Sequence, residues 1–381
     1  MHCYVINLQP HLGGAEVFTL FFTRALLAGG CTVTLIVSEA ATCWSGLVAE
    51  KHAALTVTPV ASDRDIPALL PPRAWIVTHA PVSEAFVTAV KGQHLLTGFC
   101  HMPLAGRRAG VLAHYDLVFS VSNYVLSTLA PVGVHNAYPE VFLGVADFAR
   151  FAPGASDTFA QGDVYSWDQR KFRDRVLSWI VPAARAVTRA FVPPKSYQRR
   201  PGFTLGIVSN IGPIKQFDLL FEQIVPVLVK RPEVNIDIFG NGAYRSVADL
   251  KLAVRPLGER VRFWGRQADT RPLYAHFDYL LSGLPEKEAL GLNIIEAQTL
   301  GTPVLAVNAP PFTETVLDEK TGLLFRDPRE DHAADFARIL DRAMHGPRPD
   351  PLDASAHLAR FSQAAFNARA ARMMEHIATL L

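Results

Sequence analysis

Cysteine is scarce: Cys3, Cys31, Cys43 and Cys100 are the four in 381 residues, and no two have paired spacing. That argues against a disulfide framework or a zinc site and leads us to expect reduced thiols in a cytosolic protein. No window approaches the roughly 20 unbroken apolar residues of a membrane-spanning helix. The opening MHCYVINLQP has neither a basic stretch nor a small-residue cleavage pattern, so a first strand is expected there, not a secretion signal. An excess of one charge is also missing: the formal net charge is +2, and nothing global points to nucleic acid. A serine-nucleophile elbow, a Walker loop and a CxxC pair are absent, and with them the chemistry each supports.

What is present is alternation. The length gives a prior of about two domains. CYVINL, CTVTLIVS, ALTVTPV, AWIVTH, HLLTGFC and DLVFSVS in the first half are short and apolar, like strands. FTLGIVSN, VNIDIFGN, VRFWG, YLLSGL, TPVLAVN and GLLF repeat the style in the second. Helical segments separate them. One places Phe217, Leu220, Phe221, Ile224 and Leu228 on a single face. Such alternation predicts α/β architecture with parallel sheets covered on both faces, in two Rossmann-like domains. VPPKSYQRRPG, residues 192–202, is the best linker candidate. The expected division is 1–195, 203–360, and a C-terminal helix over 361–381.

In open parallel sheets, ligands sit beyond the carboxyl ends of the strands. After the first strand, Gly13 and Gly14 precede a helix, where backbone amides and the helix dipole favour an anion. The third glycine of the dinucleotide fingerprint is missing, and only Glu39 follows strand two as a ribose acid, so an NAD-linked oxidoreductase is a weak alternative. The stretch PEKEALGLNIIEAQTLGTP, residues 285–303, carries more. Its helix is expected to start at Gly291, Leu292 and Asn293, whose amides can receive a phosphate, and to stop at Gly301. Glu296 lies about 6 Å further along the axis, near the distance from a nucleotide phosphate to its ribose. Glu288 falls on the preceding loop, on the other side of that phosphate, where a sugar would be.

GGAE, IVSNIGPIKQFDLL, FGNGAY, VRFWGR, LLSGLPEKEALGLNIIEAQTLGTPVLA and FTETVLDEKTGLLF occur here in order. Together they resemble the retaining GT-B glycosyltransferases of family 4, nearly end to end in the second half and more loosely beyond the first 40 residues. The resemblance implies two domains facing across a cleft, the first on the acceptor side and the second on the donor side, with the C-terminal helix crossing back to the first. It implies a metal-independent transfer from a nucleotide-sugar to a saccharide or lipid-linked acceptor, in polysaccharide or lipopolysaccharide assembly. No cofactor or metal is expected. By the same resemblance Glu288 contacts the transferred sugar and Glu296 the ribose. Lys215 and the Gly14 amide hold the diphosphate, and Ser282 and Glu314 line the cleft. Where the family usually has arginine, five residues before the lysine, this chain has Asn210. Arg266, Arg107 or Arg108 are candidate replacements for the missing cation. A non-catalytic partner subunit that binds sugar nucleotides is the alternative function.

His101 ends a strand in a region where that family often has a histidine, and is expected to meet the donor sugar; His79, on a similar strand end, is weaker. Asp63 and Asp65 form a DxD, but in the loop-like SDRDIP, and are expected to be solvated turn residues. Residues 168–200 are dense in Lys and Arg, and Phe172, Val176, Ile180, Ala184, Val187 and Phe191 form an apolar stripe interrupted at Pro182. A helix packed on its domain is one reading. The other is a helix lying on an anionic membrane at the inner face of the cell, where lipid-linked acceptors are found.

Overall fold

The structure is a computed structural model, and it describes residues 1–10, 13–41, 44, 52–104, 106–146, 148, 159–167, 172, 174–180 and 196–381. It divides into two compact units, one formed by Met1–Asp147 with Ala356–Leu381 and the other by Phe148–Ser355.

In the first unit, β1 (His2–Asn7), β2 (Thr32–Ser38), β3 (Leu55–Val60), β4 (Trp75–Thr78), β5 (Leu95–Cys100) and β6 (Leu117–Ser120) form one sheet. Its order is β3-β2-β1-β4-β5-β6, with every pairing parallel. Two helices of this unit are α1 (Gly14–Ala28) and α2 (Glu84–Val90). In the second unit, β7 (Phe203–Val208), β8 (Val234–Phe239), β9 (Val261–Gly265), β10 (Tyr279–Leu281), β11 (Val304–Val307) and β12 (Gly322–Phe325) form another parallel sheet, ordered β12-β11-β10-β7-β8-β9. Here α3 (Phe217–Val229), α4 (Tyr244–Ala253), α5 (Leu292–Thr299) and α6 (Ala334–His345) connect strands or follow the last one. Every residue of β8 is buried, as a strand with helices on both faces requires. Its Asp237 is charged and wholly buried, and two arginines balance it: Arg262 Nε donates at 2.8 Å and Arg200 at 3.3 Å, while the Tyr197 hydroxyl donates at 3.2 Å.

The expected strands are all present, but the division differs from the expected one. Residues 159–166 go with the second unit because their backbone is tied to it. Gly162 N donates to Trp264 O at 2.7 Å, Arg266 N to Asp163 O at 2.9 Å, and Ser166 N to Gly242 O at 2.8 Å. The break therefore comes near residue 147, not in the 192–202 stretch, of which residues 192–195 lie outside the described residues. The expected C-terminal helix is α7 (Gln363–Ala378), preceded by short turns between Pro351 and Phe361. It packs on α1, with Phe366 5.4 Å from Phe18 between ring centroids.

Each sheet reverses direction once. The chain winds from β7 to β8 to β9, then returns to place β10 on the other side of β7. The loops after β7 and β10 therefore diverge at a crevice, the position where open parallel sheets bind ligands. In the first unit the same reversal separates β1 from β4.

Candidate functional site

The two loops at the second reversal point are stitched together through backbone. Leu284 N donates to Lys215 O at 3.1 Å. A Cβ on Gly283 would lie 2.0 Å from that same oxygen, so only glycine allows the approach. Lys215 donates its own amide to Gly212 O at 3.1 Å, and Gln216 then turns through φ 51° before α3 begins. This route aims Lys215 at the loop after β10, and its Nζ forms an ion pair with Glu288.

Glu288 is buried, and the Ala289 amide donates to its carboxylate at 3.1 Å. Burial pushes the carboxyl upward, but the Lys215 ammonium and the Ala289 and Leu290 amides outweigh that and hold it below the ordinary glutamate range. It is an anion. The preceding Glu286 is gripped by Arg329, whose Nε also donates to Asp327 at 2.9 Å, so a second ion pair braces the loop.

Gly291 opens α5 at φ 83°, a left-handed conformation glycine takes readily. The Ile294 and Ile295 amides donate to its carbonyl at 3.0 and 3.3 Å, and the Leu292 and Asn293 amides precede the helix's own ladder. One turn on, half-buried Glu296 accepts a 2.7 Å hydrogen bond from the Tyr274 hydroxyl. Burial raises the Glu296 carboxyl, an effect that Tyr274 and Lys215 offset only in part. Tyr274 is itself pushed well up, first by burial and then by the Glu296 charge. Its carbonyl is fixed by the Thr302 hydroxyl at 2.7 Å. Spacing in the sequence did not point to Tyr274, which stands 22 residues from its partner.

Lys215, Glu288, Glu296 and the start of α5 are thus gathered on two loops and a helix of one unit. Buried Ser282 sits at the end of β10, with its amide on Leu305 O at 3.0 Å. Asn210 and Arg266 are exposed on the loops after β7 and β9, and half-buried Glu314 is in the one-turn helix after β11.

The remaining candidates belong to the first unit. Gly13 is extended at φ −142° and borders Glu16, whose Oε2 would lie 3.0 Å from a Cβ there; Gly14 begins α1. Residues 11 and 12 lie outside the described residues. His101 follows β5, and its Nε2 is 3.2 Å from Nδ1 of His79, which stacks on Phe99 with centroids 4.7 Å apart. Burial lowers His101 to about 4 and, with the neighbouring His101, takes His79 well below its ordinary value. Both rings are neutral at neutral pH, able to share hydrogen bonds but not to act as cations. Arg107 and Arg108 are exposed in the turn that follows. Asp65 accepts from the amide and hydroxyl of Ser62, and Asp63 from the Ser83 amide at 2.6 Å, which makes both turn residues.

Residues 202–345 match the family model described as Glycosyl transferases group 1. A D-inositol 3-phosphate glycosyltransferase of Nocardia farcinica is 32% identical over 206 residues, covering 50% of this chain and 45% of that protein. A phosphatidyl-myo-inositol mannosyltransferase of Propionibacterium freudenreichii is 27% identical over 149 residues, covering 39% and 36%. These matches span less than half the length of either relative. Among solved structures, Anabaena HepE in complex with UDP and glucose superposes with a TM-score of 0.67 at 17% identity, over 98% of this chain and 99% of that one. The lipopolysaccharide outer core galactosyltransferase WaaB superposes with a TM-score of 0.63 at 13% identity, over 98% and 99%. The chain has the fold of the GT-B glycosyltransferases, and its second unit carries the sequence pattern of glycosyltransferase group 1.

Proposed function

We propose that this chain is a glycosyltransferase that takes a sugar from a nucleotide-sugar and passes it, with retention, to a saccharide or lipid-linked acceptor in cell-surface polysaccharide or lipopolysaccharide synthesis. The observation that carries the reading is the convergence at one reversal point of Lys215, Glu288, the first amides of α5 and the Tyr274-bound Glu296. A nucleoside diphosphate matches that set. The α5 amides and Lys215 take the phosphates, Glu296 the ribose hydroxyls, and Glu288 the transferred sugar. Negative charge grows on the diphosphate as the glycosidic bond breaks, and Lys215 stabilises it without a metal. The leaving phosphate oxygen then accepts the acceptor's proton. Neutral His101 is suited to a hydrogen bond with a sugar hydroxyl. The solved neighbour with UDP and glucose makes uridine donors the first to try.

A second reading, a non-catalytic subunit that binds sugar nucleotides, draws on Asn210. An exposed amide stands five residues before Lys215, and leaving-group stabilisation there lacks a fixed cation. One experiment separates the readings. UDP, GDP, TDP and ADP are screened for a rise in melting temperature, since a ligand of the folded state stabilises it. The corresponding nucleotide-sugars are then assayed for transfer and hydrolysis with the native chain and Lys215→Ala. Stabilisation plus turnover lost in Lys215→Ala supports the enzyme. Stabilisation without turnover supports the subunit, and no stabilisation by any of the four rejects both.

A further inference from the structure

Tyr274 is a tyrosine at a position whose packing needs only a phenylalanine. It ends the one-turn helix Arg271–Tyr274, is wholly buried, and stands edge-on to Phe277 at 6.4 Å between ring centroids. A buried hydroxyl costs free energy unless it finds a partner. The partner here is a carboxylate oxygen, Oε2 of Glu296, at 2.7 Å. Burial and the Glu296 charge both keep the phenol protonated, so the tyrosine donates. Its main chain is held as well: the Tyr274 carbonyl accepts from the Thr302 hydroxyl at 2.7 Å and from the Phe277 amide at 3.2 Å. Glu296 lies within α5 and Thr302 just beyond its end. Tyr274 is therefore fixed to that helix at two points, by its side chain and by its backbone.

We propose that Tyr274 is a positioning residue that makes Glu296 a reader of two neighbouring sugar hydroxyls, so that the site prefers ribonucleoside diphosphates to their 2′-deoxy counterparts. This rests on the assignment of Glu296 to the ribose. An ionised carboxylate only accepts hydrogen bonds, and its two oxygens offer about four sites. Tyr274 takes one of them on Oε2, which fixes the plane of the group and leaves Oε1 and the remainder of Oε2 for the 2′ and 3′ hydroxyls. Burial pushes the carboxyl towards its neutral form, and the Tyr274 hydrogen bond opposes this ahead of the Lys215 charge. A neutral carboxyl would turn one acceptor into a donor and spoil the match to a diol. With the carboxylate fixed and charged, a ribose fills the acceptors that a 2′-deoxyribose leaves in part unpaired. An unpaired half-buried acceptor is costly, and the loss falls on the deoxy sugar alone.

The test is calorimetric titration of UDP and 2′-deoxy-UDP into the native full chain, Tyr274→Phe, Glu296→Ala and the double variant. Tyr274→Phe removes one oxygen and keeps the packing of the ring. The native chain is expected to bind UDP about tenfold or more tighter than 2′-deoxy-UDP. Tyr274→Phe should lose about three- to tenfold in UDP affinity and little for 2′-deoxy-UDP, so the ratio between them falls to about threefold or less. Added to Glu296→Ala, the same change should alter neither affinity, because the tyrosine acts through the carboxylate. A tyrosine that only supports the fold would weaken both nucleotides alike, with or without Glu296, and that result overturns the inference. So does equal affinity of the native chain for the two nucleotides. Native UDP affinity and an undiminished ratio in folded Tyr274→Phe, beside weakened binding by Glu296→Ala, overturn it while leaving the ribose assignment in place. Undiminished UDP binding by Glu296→Ala removes the ribose assignment, and this inference with it.

Discussion

Lys215 is paired with Glu288, so a nucleoside diphosphate that uses the lysine competes with that carboxylate. The pair is largely withdrawn from water, with side-chain exposures of 21% for Lys215 and 11% for Glu288. A hydrogen bond between charged groups in such a setting is worth about 1.5–3 kcal/mol. Glu288→Gln keeps the shape and one acceptor but removes the charge, which leaves about half of that opposition; the release is about 0.75–1.5 kcal/mol. Affinity for UDP, which has no sugar to lose contact with Glu288, is therefore expected to rise roughly 4- to 13-fold. The same substitution lowers transfer. Titration calorimetry reads the change directly, and adding Lys215→Met to the variant should abolish the gain. The gain should also persist down to acid pH, because the Glu288 carboxyl is held below its ordinary value and stays charged in the native protein until the pH falls beneath that range. Unchanged or weaker UDP binding by folded Glu288→Gln would refute the partner exchange.

Glu296→Ala should weaken UDP binding by about 1.5–3 kcal/mol, measured by the same titration. Glu296→Gln should instead melt higher than the native protein at neutral pH. A carboxyl raised by burial contributes stability below the ordinary glutamate pKa and loses it as pH rises through the raised one, so the difference should vanish in acid. Gly283→Ala forces a Cβ against the Lys215 carbonyl, and is expected to cost about 1–3 kcal/mol in a denaturant titration and to depress transfer. His101, lowered to about 4, should give up roughly 2–3 kcal/mol of stability as pH falls from about 6.5 toward 4, a loss that His101→Asn should remove from the pH–stability curve.

Strands and the α5 loop were legible in the sequence because their signals are local: short apolar runs between glycines, and two glutamates around a helix start. Contacts across the crevice were not. Lys215 and Glu288 are 73 residues apart, and nothing in either segment announces the other. Tyr274 is fully buried, and only its hydroxyl's direction gives it a part at Glu296. The unit boundary was also hidden. A Pro-rich stretch marked a linker by composition, but backbone hydrogen bonds from residues 162–166 decide which sheet that segment joins. In the helical segment after Phe172, the apolar spacing was visible and the exposure of Val176 and Ile180 was not, since periodicity defines a face without saying which way it turns.

The last helix packing on the first helix has a consequence for biosynthesis. The first unit is discontinuous, and the second is encoded entirely between its two pieces. On the ribosome the second unit has all its strands once residue 355 has emerged, while the first still lacks Phe366, Met373, Met374 and Ile377, all buried in the finished protein. The N-terminal half of the chain is thus synthesised first and completed last. Until then, the face of α1 that α7 will cover is open to chaperones and to misassembly.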